Sequence, residues 1–171
     1  MKVSYAALDL QTGRAYAVAT PSGITRLELR PGLLAGFIGV LKDEYGVIPV
    51  EDERPFHTLK RELDSYFSGE PVVFTSRLDL VGTEFQKKVW RALMKVPYGN
   101  VRSYKWLAGL AGNPDAARAV GGALNRNRIP IIIPCHRVVQ STGGIGGFAC
   151  GLDVKRMLLG VEGVIPPYRL Q

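Results

Sequence analysis

The sequence predicts a mixed α/β (α+β) protein, with a small N-terminal α/β domain that holds a short sheet and a mainly helical C-terminal domain. Two strand-like segments joined by a short turn open the chain, whereas apolar residues at helical spacing dominate after residue 83. The charge also changes sign along the chain. Residues 1–79 contain 9 basic and 11 acidic side chains, and residues 80–171 contain 13 basic and 4 acidic ones. We therefore place a domain boundary between residues 79 and 80.

The composition is that of a globular protein. The chain has 171 residues, of which 46% are hydrophobic and 22% charged, which excludes wholesale disorder. No apolar run reaches the roughly 18 residues of a membrane-spanning helix, and the N-terminus lacks a signal-peptide pattern. Two cysteines and two histidines provide neither a disulfide scaffold nor a zinc set. These features predict a cytoplasmic protein without a metal or cofactor.

The N-terminal domain is predicted to pair a short sheet with two helices. Its clearest helix has apolar residues at helical spacing and a glycine, Gly69, as its stop. His57 stands near the start of this helix and is predicted to be a surface or capping residue. The predicted elements are strands at 3–10, 14–20 and 24–30, helices at 33–45 and 56–69, and an extended segment at 70–82.

The C-terminal domain opens with a helix that has a clear start signal. Thr83 is followed three residues later by Gln86, which is the pattern of a capping box. Two short helices follow, one from Ser103 to about Gly112 and one within residues 115–127. Two short helices around a glycine-containing turn in a basic region predict a helix-turn-helix. One apolar stripe lies along the first helix, formed by Phe85, Val89, Trp90, Leu93 and Met94.

The second helix of this motif has an unusually bare surface. Small residues cover much of it, and Arg118 is the one long cation among them: Ala116, Ala117, Ala119, Gly121, Gly122 and Ala123. Small side chains permit a close approach to a narrow groove or a phosphate path, but they also permit tight packing between helices. The sequence leaves both interpretations open. The excess of positive charge in this domain points to a polyanion such as nucleic acid, although a basic surface without a partner remains an alternative.

The chemistry is concentrated at Cys135 and His136. An apolar, β-branched run at 129–133 predicts a buried strand or extended segment, and Pro134 interrupts it. Cys135 should therefore lie in an irregular turn, with His136 as a candidate base for its thiol. Successive strand residues point to opposite faces, so the pair can cooperate only through a turn or a bridging water. Taken alone, the pair is weak evidence for a nucleophile, because buried cysteines are common and inert and an inert cysteine is then the favoured interpretation.

The string PCHRV at 134–138 resembles the active-site motif of the O6-alkylguanine-DNA alkyltransferases, also called methylated-DNA–protein-cysteine methyltransferases. These are direct-reversal DNA repair proteins. The segment at 103–127 is similar to the helix-turn-helix of the family, and that at 143–163 to its pocket loop and following helix. The resemblance is specific over residues 83–165 and only architectural before them. It implies that a monomer binds duplex DNA in the minor groove and turns a damaged guanine into a pocket.

The resemblance also implies the chemical roles. Cys135 corresponds to the alkyl acceptor, His136 to the base that takes its proton through a water, and Glu162 to the carboxylate that orients and charges the histidine. Asn127 corresponds to a residue that braces the turn, and Tyr104 to one that crowds the phosphate and donates to guanine N3. The thioether product is permanent, so each molecule acts once. A nearby imidazolium would lower the thiol pKa.

Further residues follow from the same resemblance. Arg118 corresponds to the arginine that fills the space left by the flipped base, and backbone around Cys135, Val138 and Ala149 is expected to hold the guanine. Arg137 is predicted to be structural or to face a phosphate, and Lys155 to lie near the pocket loop without a chemical step. The predicted DNA contacts are Arg118, Tyr104, Ala117, Gly121 and Arg126. The predicted pocket residues are Leu124, Pro130, Val138, Phe148, Ala149 and Cys150.

Two positions depart from the family pattern. Phe148 stands where many relatives have tyrosine, so no hydroxyl is available there, and Cys150 lies at a variable position of the pocket loop. Cys150 could oxidise with Cys135 or simply line the pocket as a small residue. Three other functions remain open, namely a non-catalytic alkyltransferase-like protein, a helix-turn-helix regulator and a cysteine protease. The first usually replaces the acceptor cysteine, and the second lacks base-reading side chains here.

Overall fold

Two units make up the fold in the computed structural model, which describes all 171 residues. One unit contains Met1–Phe67 and Val72–Leu80, and the other contains Ser68–Pro71 and Val81–Gln171. The mixed α/β class expected from the sequence is confirmed, with a small sheet in the first unit and mostly helices in the second. None of the helices has the length and apolar character needed to span a bilayer.

The first unit is built on a four-stranded sheet in the order β3-β2-β1-β4. Strands β1 to β3 form antiparallel pairs, and the first two are joined by a tight turn in which Gly13 has a φ of 102°. The short strand β4 pairs in parallel with β1 and was not predicted. The strand bounds are β1 Ser4–Leu10, β2 Gly13–Thr20, β3 Gly23–Glu28 and β4 Val50–Glu51.

Two helices complete this unit, namely α1 at Leu34–Tyr45 and α2 at His57–Phe67. Both were predicted, because their apolar residues recur at helical spacing. Phe37 and Leu41 of α1 are buried in a cluster with sheet residues. His57 is exposed at the first position of α2, in agreement with a surface residue. The predicted extended segment at 70–82 forms no strand and joins β3 through a single bridge between Ile24 and Leu78.

The second unit begins with α3 at Glu84–Leu93, which starts with the predicted capping box. The Thr83 hydroxyl accepts a hydrogen bond from the Gln86 backbone N–H at 3.2 Å, and the Gln86 side chain accepts one from the Thr83 backbone N–H at 2.9 Å. Two of the otherwise unsatisfied N–H groups at the helix start are thereby bonded. The buried stripe of α3 contacts the following helices, and the Trp90 indole N–H donates to the Ala123 carbonyl at 2.9 Å.

The predicted helix-turn-helix consists of α4 at Tyr104–Leu110 and α5 at Ala117–Asn125. The Ser103 hydroxyl accepts the Trp106 backbone N–H and so caps α4. The buried face of α5 contains Val120, Ala123 and Leu124. The remaining elements are β5 at Arg102–Ser103, a one-turn 3₁₀ helix at Cys135–Arg137, β6 at Val138–Val139 and α6 at Leu152–Val161.

The apolar run at 129–133 is buried, but the strand considered for it is not present. The chain turns back on itself, since the Ile133 backbone N–H donates to the Ile129 carbonyl at 3.0 Å. Ile131 has a φ of 73°, a left-handed conformation that is rare and strained for a β-branched residue. Pro130 within this run and Pro134 directly after it lack N–H donors for a sheet ladder. The turn that follows places Cys135 at the start of the 3₁₀ helix.

Candidate active site

Cys135 lies at an abrupt change of chain direction, as predicted. It opens the 3₁₀ helix immediately after Pro134 and is 7% exposed. The side-chain amide of Asn127 reaches this turn from just beyond the end of α5. Its Nδ2 donates to the Ile133 carbonyl at 2.9 Å and to the Cys135 Sγ at 3.1 Å, while its Oδ1 accepts the Ile129 backbone N–H at 2.9 Å. Asn127 therefore both braces the turn and contacts the sulfur.

His136 and Glu162 form a fully buried pair. The His136 Nε2 and the Glu162 Oε1 are 2.6 Å apart, and neither side chain is exposed. Glu162 immediately follows α6, and its other oxygen accepts the Gly99 backbone N–H at 3.1 Å. With a carboxylate on Nε2, that nitrogen carries the proton, and Nδ1 is the ring nitrogen that can accept one.

Arg137 shares the same carboxylate. Its Nε lies 2.9 Å from Glu162 Oε2, its Nη2 lies 3.0 Å from Oε1, and its Nη1 donates to the Val96 carbonyl at 2.6 Å. Arg137 is only 6% exposed, and its guanidinium lies 6.0 Å from the centre of the Tyr98 ring. The structural role considered for Arg137 agrees with this geometry. The phosphate-facing role is wrong, because the charge is buried and satisfied within the protein.

The resting protonation states follow from burial and from these contacts. Burial raises the pKa of the Cys135 thiol to about 11, although the Asn127 hydrogen bond and the Lys155 charge act in the opposite direction. Burial also lowers the pKa of His136, while its bond to Glu162 opposes that shift. The hydrogen bonds and charges of His136 and Arg137 hold the Glu162 pKa at about 2 despite its burial. These directions favour a protonated thiol beside a neutral imidazole in the free protein.

Cys135 opens into a small cavity of about 80 Å³. The cavity lies between α4, α5 and the loop that precedes α6, so residues far apart in the sequence meet there. Five of the predicted residues line it together with Cys135: Tyr104, Gly121, Leu124, Phe148 and Ala149. Asn125 and Gly147 also line it and were not predicted. Asn125 could have been found from its helical position, four residues after Gly121 on the same face of α5.

Pro130, Val138 and Cys150 are the predicted pocket residues that do not line this cavity. Pro130 and Val138 are buried within the turn region, and Cys150 is half-buried. No disulfide joins Cys150 to Cys135. The carbonyl groups expected to hold a guanine amine already accept internal bonds: the Cys135 carbonyl accepts the Val138 N–H, and the Val138 carbonyl accepts the Lys155 ammonium at 2.6 Å.

The loop over the cavity is tied to both α4 and α6. The Gly147 backbone N–H donates to the Tyr104 hydroxyl at 3.2 Å, and the Gly147 carbonyl accepts from the Lys155 Nζ at 3.0 Å. Gly146 has a φ of 73°, and a Cβ there would lie 2.7 Å from the Tyr104 oxygen. Glycine is therefore required at Gly146 both for its conformation and for the close approach of the tyrosine. Burial raises the pKa of Tyr104, so its hydroxyl remains protonated and able to donate.

The exposed face of α5 carries the predicted DNA contacts. Arg118 and Arg126 are exposed, and Ala117 and Gly121 are half-buried. A Cβ added at Gly121 or Gly122 would meet nothing within 4 Å. Tight helix packing therefore does not explain these two glycines, and the bare surface of α5 is open to an external partner. No group of three or more His, Cys, Asp or Glu side chains that could hold a metal ion is present.

Comparisons with known proteins agree with this geometry. The family profile described as "6-O-methylguanine DNA methyltransferase, DNA binding domain" matches residues 84–164. The methylated-DNA–protein-cysteine methyltransferase of Methanosarcina acetivorans is 52% identical over 114 residues, covering 67% of this chain and 73% of that protein. Its counterpart from Methanosarcina mazei is 44% identical over 149 residues, covering 81% of this chain and 94% of that protein. The chain belongs to the methylated-DNA–protein-cysteine methyltransferase family.

Solved structures extend this relationship to the whole fold. The crystal structure of Mycobacterium tuberculosis OGT in complex with DNA superposes with a TM-score of 0.80 at 36% identity, covering 94% of this chain and 93% of that one. The O6-methylguanine-DNA methyltransferase of Pyrococcus kodakaraensis gives a TM-score of 0.68 at 27% identity, covering 95% and 99%. The methyltransferase resemblance inferred from the PCHRV string is thereby confirmed. The matched region at 84–164 contains every candidate site residue of this methyltransferase.

Proposed function

We propose that this chain repairs O6-alkylguanine in double-stranded DNA by transferring the alkyl group to its own Cys135. The observation that carries the proposal is the position of the Cys135 thiol. It faces a cavity lined by Tyr104 and Phe148, and it is followed in the chain by a histidine that is bonded to a buried carboxylate. A structural cysteine in a regulator or a binding module would require neither the cavity nor the buried pair.

The reaction proceeds in two proton-coupled parts. The Cys135 thiol gives its proton to Nδ1 of His136, through a water as the family resemblance implies, and the Nε2–H bond to Glu162 stabilises the resulting imidazolium. The thiolate then attacks the alkyl carbon. The S–C bond forms as the C–O bond breaks, and the electron pair leaves with the guanine. The leaving guanine takes up the proton that the thiol gave to His136, and the Tyr104 hydroxyl at the cavity stabilises its developing negative charge by donating a hydrogen bond. The thioether cannot be reversed, so one molecule performs one repair.

The high thiol pKa of the free protein fits this order of events. A thiol whose pKa burial raises to about 11 is mostly protonated at neutral pH and therefore reacts slowly with other electrophiles. Proton transfer to His136 then belongs to the reaction itself, once a base fills the cavity. Positioning of the thiolate in line with the departing oxygen supplies much of the rate, up to about 7–11 kcal/mol in the best intramolecular cases.

Binding of the DNA is assigned to α5. Its exposed face is free of bulky side chains around Gly121 and Gly122, which suits the minor groove, and Arg118 projects from it. Arg118 would occupy the space left by the flipped base, whose unpairing costs a few kcal/mol. The net charge of residues 80–171 supplies phosphate contacts that offset this cost and make binding sensitive to salt.

We also propose that residues 80–171 carry the DNA binding and chemistry and that residues 1–79 act as a scaffold. The first unit has a single four-stranded sheet, no cysteine and one histidine, the exposed His57, so it offers no comparable nucleophile and base. We expect a monomer, because one chain provides every group used above. We also expect a cytoplasmic protein, because a reduced thiol acceptor requires a reducing compartment.

The test uses a duplex oligonucleotide with one O6-methylguanine. The proposal predicts that guanine is restored in an amount that never exceeds the amount of protein. The matched control is Cys135→Ala, which should bind the duplex but leave the lesion in place. Repeated turnover, or repair by the alanine variant, would exclude transfer to Cys135.

A second variant tests base flipping. Arg118→Ala should slow repair of the paired duplex more than it slows reaction with the free modified base, because only the duplex requires a filled gap in the stack. Equal losses on both substrates would refute the role of Arg118.

A further inference from the structure

Lys155 is a buried charge that the reaction described above does not use. It lies on α6 with a relative exposure of 0%. Its ammonium donates to two backbone carbonyls, at 2.6 Å to Val138 and at 3.0 Å to Gly147. Val138 ends the turn that carries Cys135, and Gly147 belongs to the loop that lines the cavity. One amine therefore links the turn at residues 134–138, called the nucleophile turn below, to the pocket loop.

A buried ammonium that is bonded only to neutral carbonyls is expensive, because burial of a charge requires compensation. Neither of the two bonded partners of Lys155 is a carboxylate. The ionisable side chain that favours its charged form is Cys135. The negative charge that would balance this ammonium is thus the one that Cys135 acquires during the reaction.

We propose that Lys155 is a positioning residue for alkyl transfer, whose ammonium is the counter-charge of the Cys135 thiolate and holds the pocket loop at Gly147 against the nucleophile turn. This inference rests on the proposed function, because a thiolate at Cys135 matters only if the sulfur reacts. The two contacts fix the ammonium between the turn that ends at Val138 and the pocket loop at Gly147.

The electrostatics of the surrounding groups agree with this role. Burial lowers the pKa of Lys155 to about 8, and a thiolate at Cys135 acts to raise it. In return, the Lys155 charge lowers the pKa of Cys135 and also that of His136. The other ionisable groups of the site are Tyr104, Arg137 and Glu162, of which the last two neutralise each other as a buried pair.

A coupled pair of this kind has a distinctive pH profile. Below about pH 8, Lys155 is charged, and the amount of thiolate beside an ammonium rises tenfold for each pH unit. Above about pH 8, Lys155 loses its own proton first. The thiolate–ammonium form and the thiol–amine form then contain the same number of protons, so their ratio no longer depends on pH. The rate of alkylation of Cys135 should therefore reach a plateau from about pH 8, which ends only where the form with a thiolate and a neutral amine becomes the more abundant thiolate species.

The experiment measures alkylation of Cys135 by iodoacetamide between about pH 6 and pH 10 in the full-length protein, across the range of this coupled pair. Trypsin places Cys135 in the peptide Ile129–Arg137 and Cys150 in Val138–Lys155, so mass spectrometry follows each sulfur separately in the wild type. Lys155→Gln and Lys155→Met remove the charge, with Gln retaining a donor. Lys42→Gln, at an exposed position on α1, removes an equal charge elsewhere. In the Lys155 variants the Cys150 peptide extends to Arg156.

The wild type and Lys42→Gln should show the plateau. Both Lys155 variants should lose it and continue to rise with pH. At neutral pH, each unit by which the thiol pKa rises in these variants should slow alkylation about threefold. The amount of thiolate falls tenfold, but the more basic thiolate is a better nucleophile and partly offsets that loss. If Lys155 only held the pocket loop in place and its charge had no role, the Lys155 variants would react more slowly by the same factor at every pH and would keep the plateau. That result would overturn the proposal.

A wild-type profile that rises without a plateau would overturn the proposal even if no variant folds. Repair of the O6-methylguanine duplex by the same samples separates the two proposals. If the wild type repairs the lesion but lacks the plateau, the role of Lys155 fails and the function stands. If the plateau is present without repair, the proposed function fails.

Discussion

A substitution at Glu162 is the most informative change at the site, because its one buried carboxylate is bonded to both His136 and Arg137. The substitution Glu162→Gln keeps the shape but removes the negative charge. It leaves the Arg137 guanidinium, which is 6% exposed and always protonated, without a counter-charge. Removal of one partner of a buried ion pair typically costs about 3–5 kcal/mol. Since whole domains are stable by only about 5–15 kcal/mol, this variant should unfold at a much lower urea concentration.

The companion substitution Arg137→Met should cost less. It removes the bond to the Val96 carbonyl, but Glu162 keeps His136 and the Gly99 N–H as partners. Loss of the guanidinium also removes a positive charge that lowers the His136 pKa. The double variant contains neither buried charge of the pair. It should be more stable than the sum of the two single losses predicts, by about 1–3 kcal/mol, which is the range for residues of one network.

Urea unfolding at neutral pH of the wild type, both single variants and the double variant gives this coupling energy directly. The double variant should repair the lesion more slowly than the wild type does, because the carboxylate on His136 Nε2 is absent. Additive losses, with no coupling between the two sites, would show that the carboxylate and the guanidinium do not compensate each other and would refute the electrostatic account of the site.

Three further predictions address other contacts. Asn127→Ala removes the amide bond to the Cys135 sulfur; the thiol pKa should rise and iodoacetamide should react more slowly at Cys135, whereas an unchanged rate would mean that the amide does not stabilise the thiolate. Gly146→Ala introduces a Cβ at a residue with a φ of 73°, 2.7 Å from the Tyr104 oxygen. Repair should fall strongly while the α-helical circular dichroism signal is retained. Normal repair would contradict the close approach of Tyr104 to Gly146. The Glu162 pKa of about 2 lies below its unfolded value near 4.5. The stability that this carboxylate contributes is therefore present above about pH 5, and about 3 kcal/mol of it is lost as the pH falls towards 2. Measurements of the unfolding free energy at decreasing pH should show this loss in the wild type but not in the Arg137→Met, Glu162→Gln double variant.

Elements with local signals were predictable from the sequence. Helix α3 follows from the Thr83 and Gln86 capping box, which is present, and from its apolar stripe. Val89, Trp90 and Leu93 of that stripe are buried, whereas Met94 lies just after the helix and is 37% exposed. Helices α2, α4 and α5 follow from apolar spacing and from caps such as Ser103. The two-residue strands β4, β5 and β6 were not predictable, because their pairing is parallel and depends on contacts between distant residues.

The site was predictable in its residues but not in its electrostatics. The PCHRV string identified Cys135 and His136, and helical position could have added Asn125. The path of residues 129–133 was missed because β-branched residues favour strands, whereas two prolines and the left-handed Ile131 impose a turn. The raised thiol pKa was missed because the burial of the Cys135 sulfur is set by the tertiary structure.

The most direct test of the central claim is the location of the transferred carbon. After reaction with a duplex that contains O6-methylguanine, the protein is digested with trypsin, and the two cysteine peptides, Ile129–Arg137 and Val138–Lys155, are analysed by mass spectrometry. We predict one methyl group on Cys135, in an amount equal to the guanine restored. Methyl on Cys150 alone, or restored guanine with both cysteines unmodified, would contradict the claim that Cys135 is the acceptor.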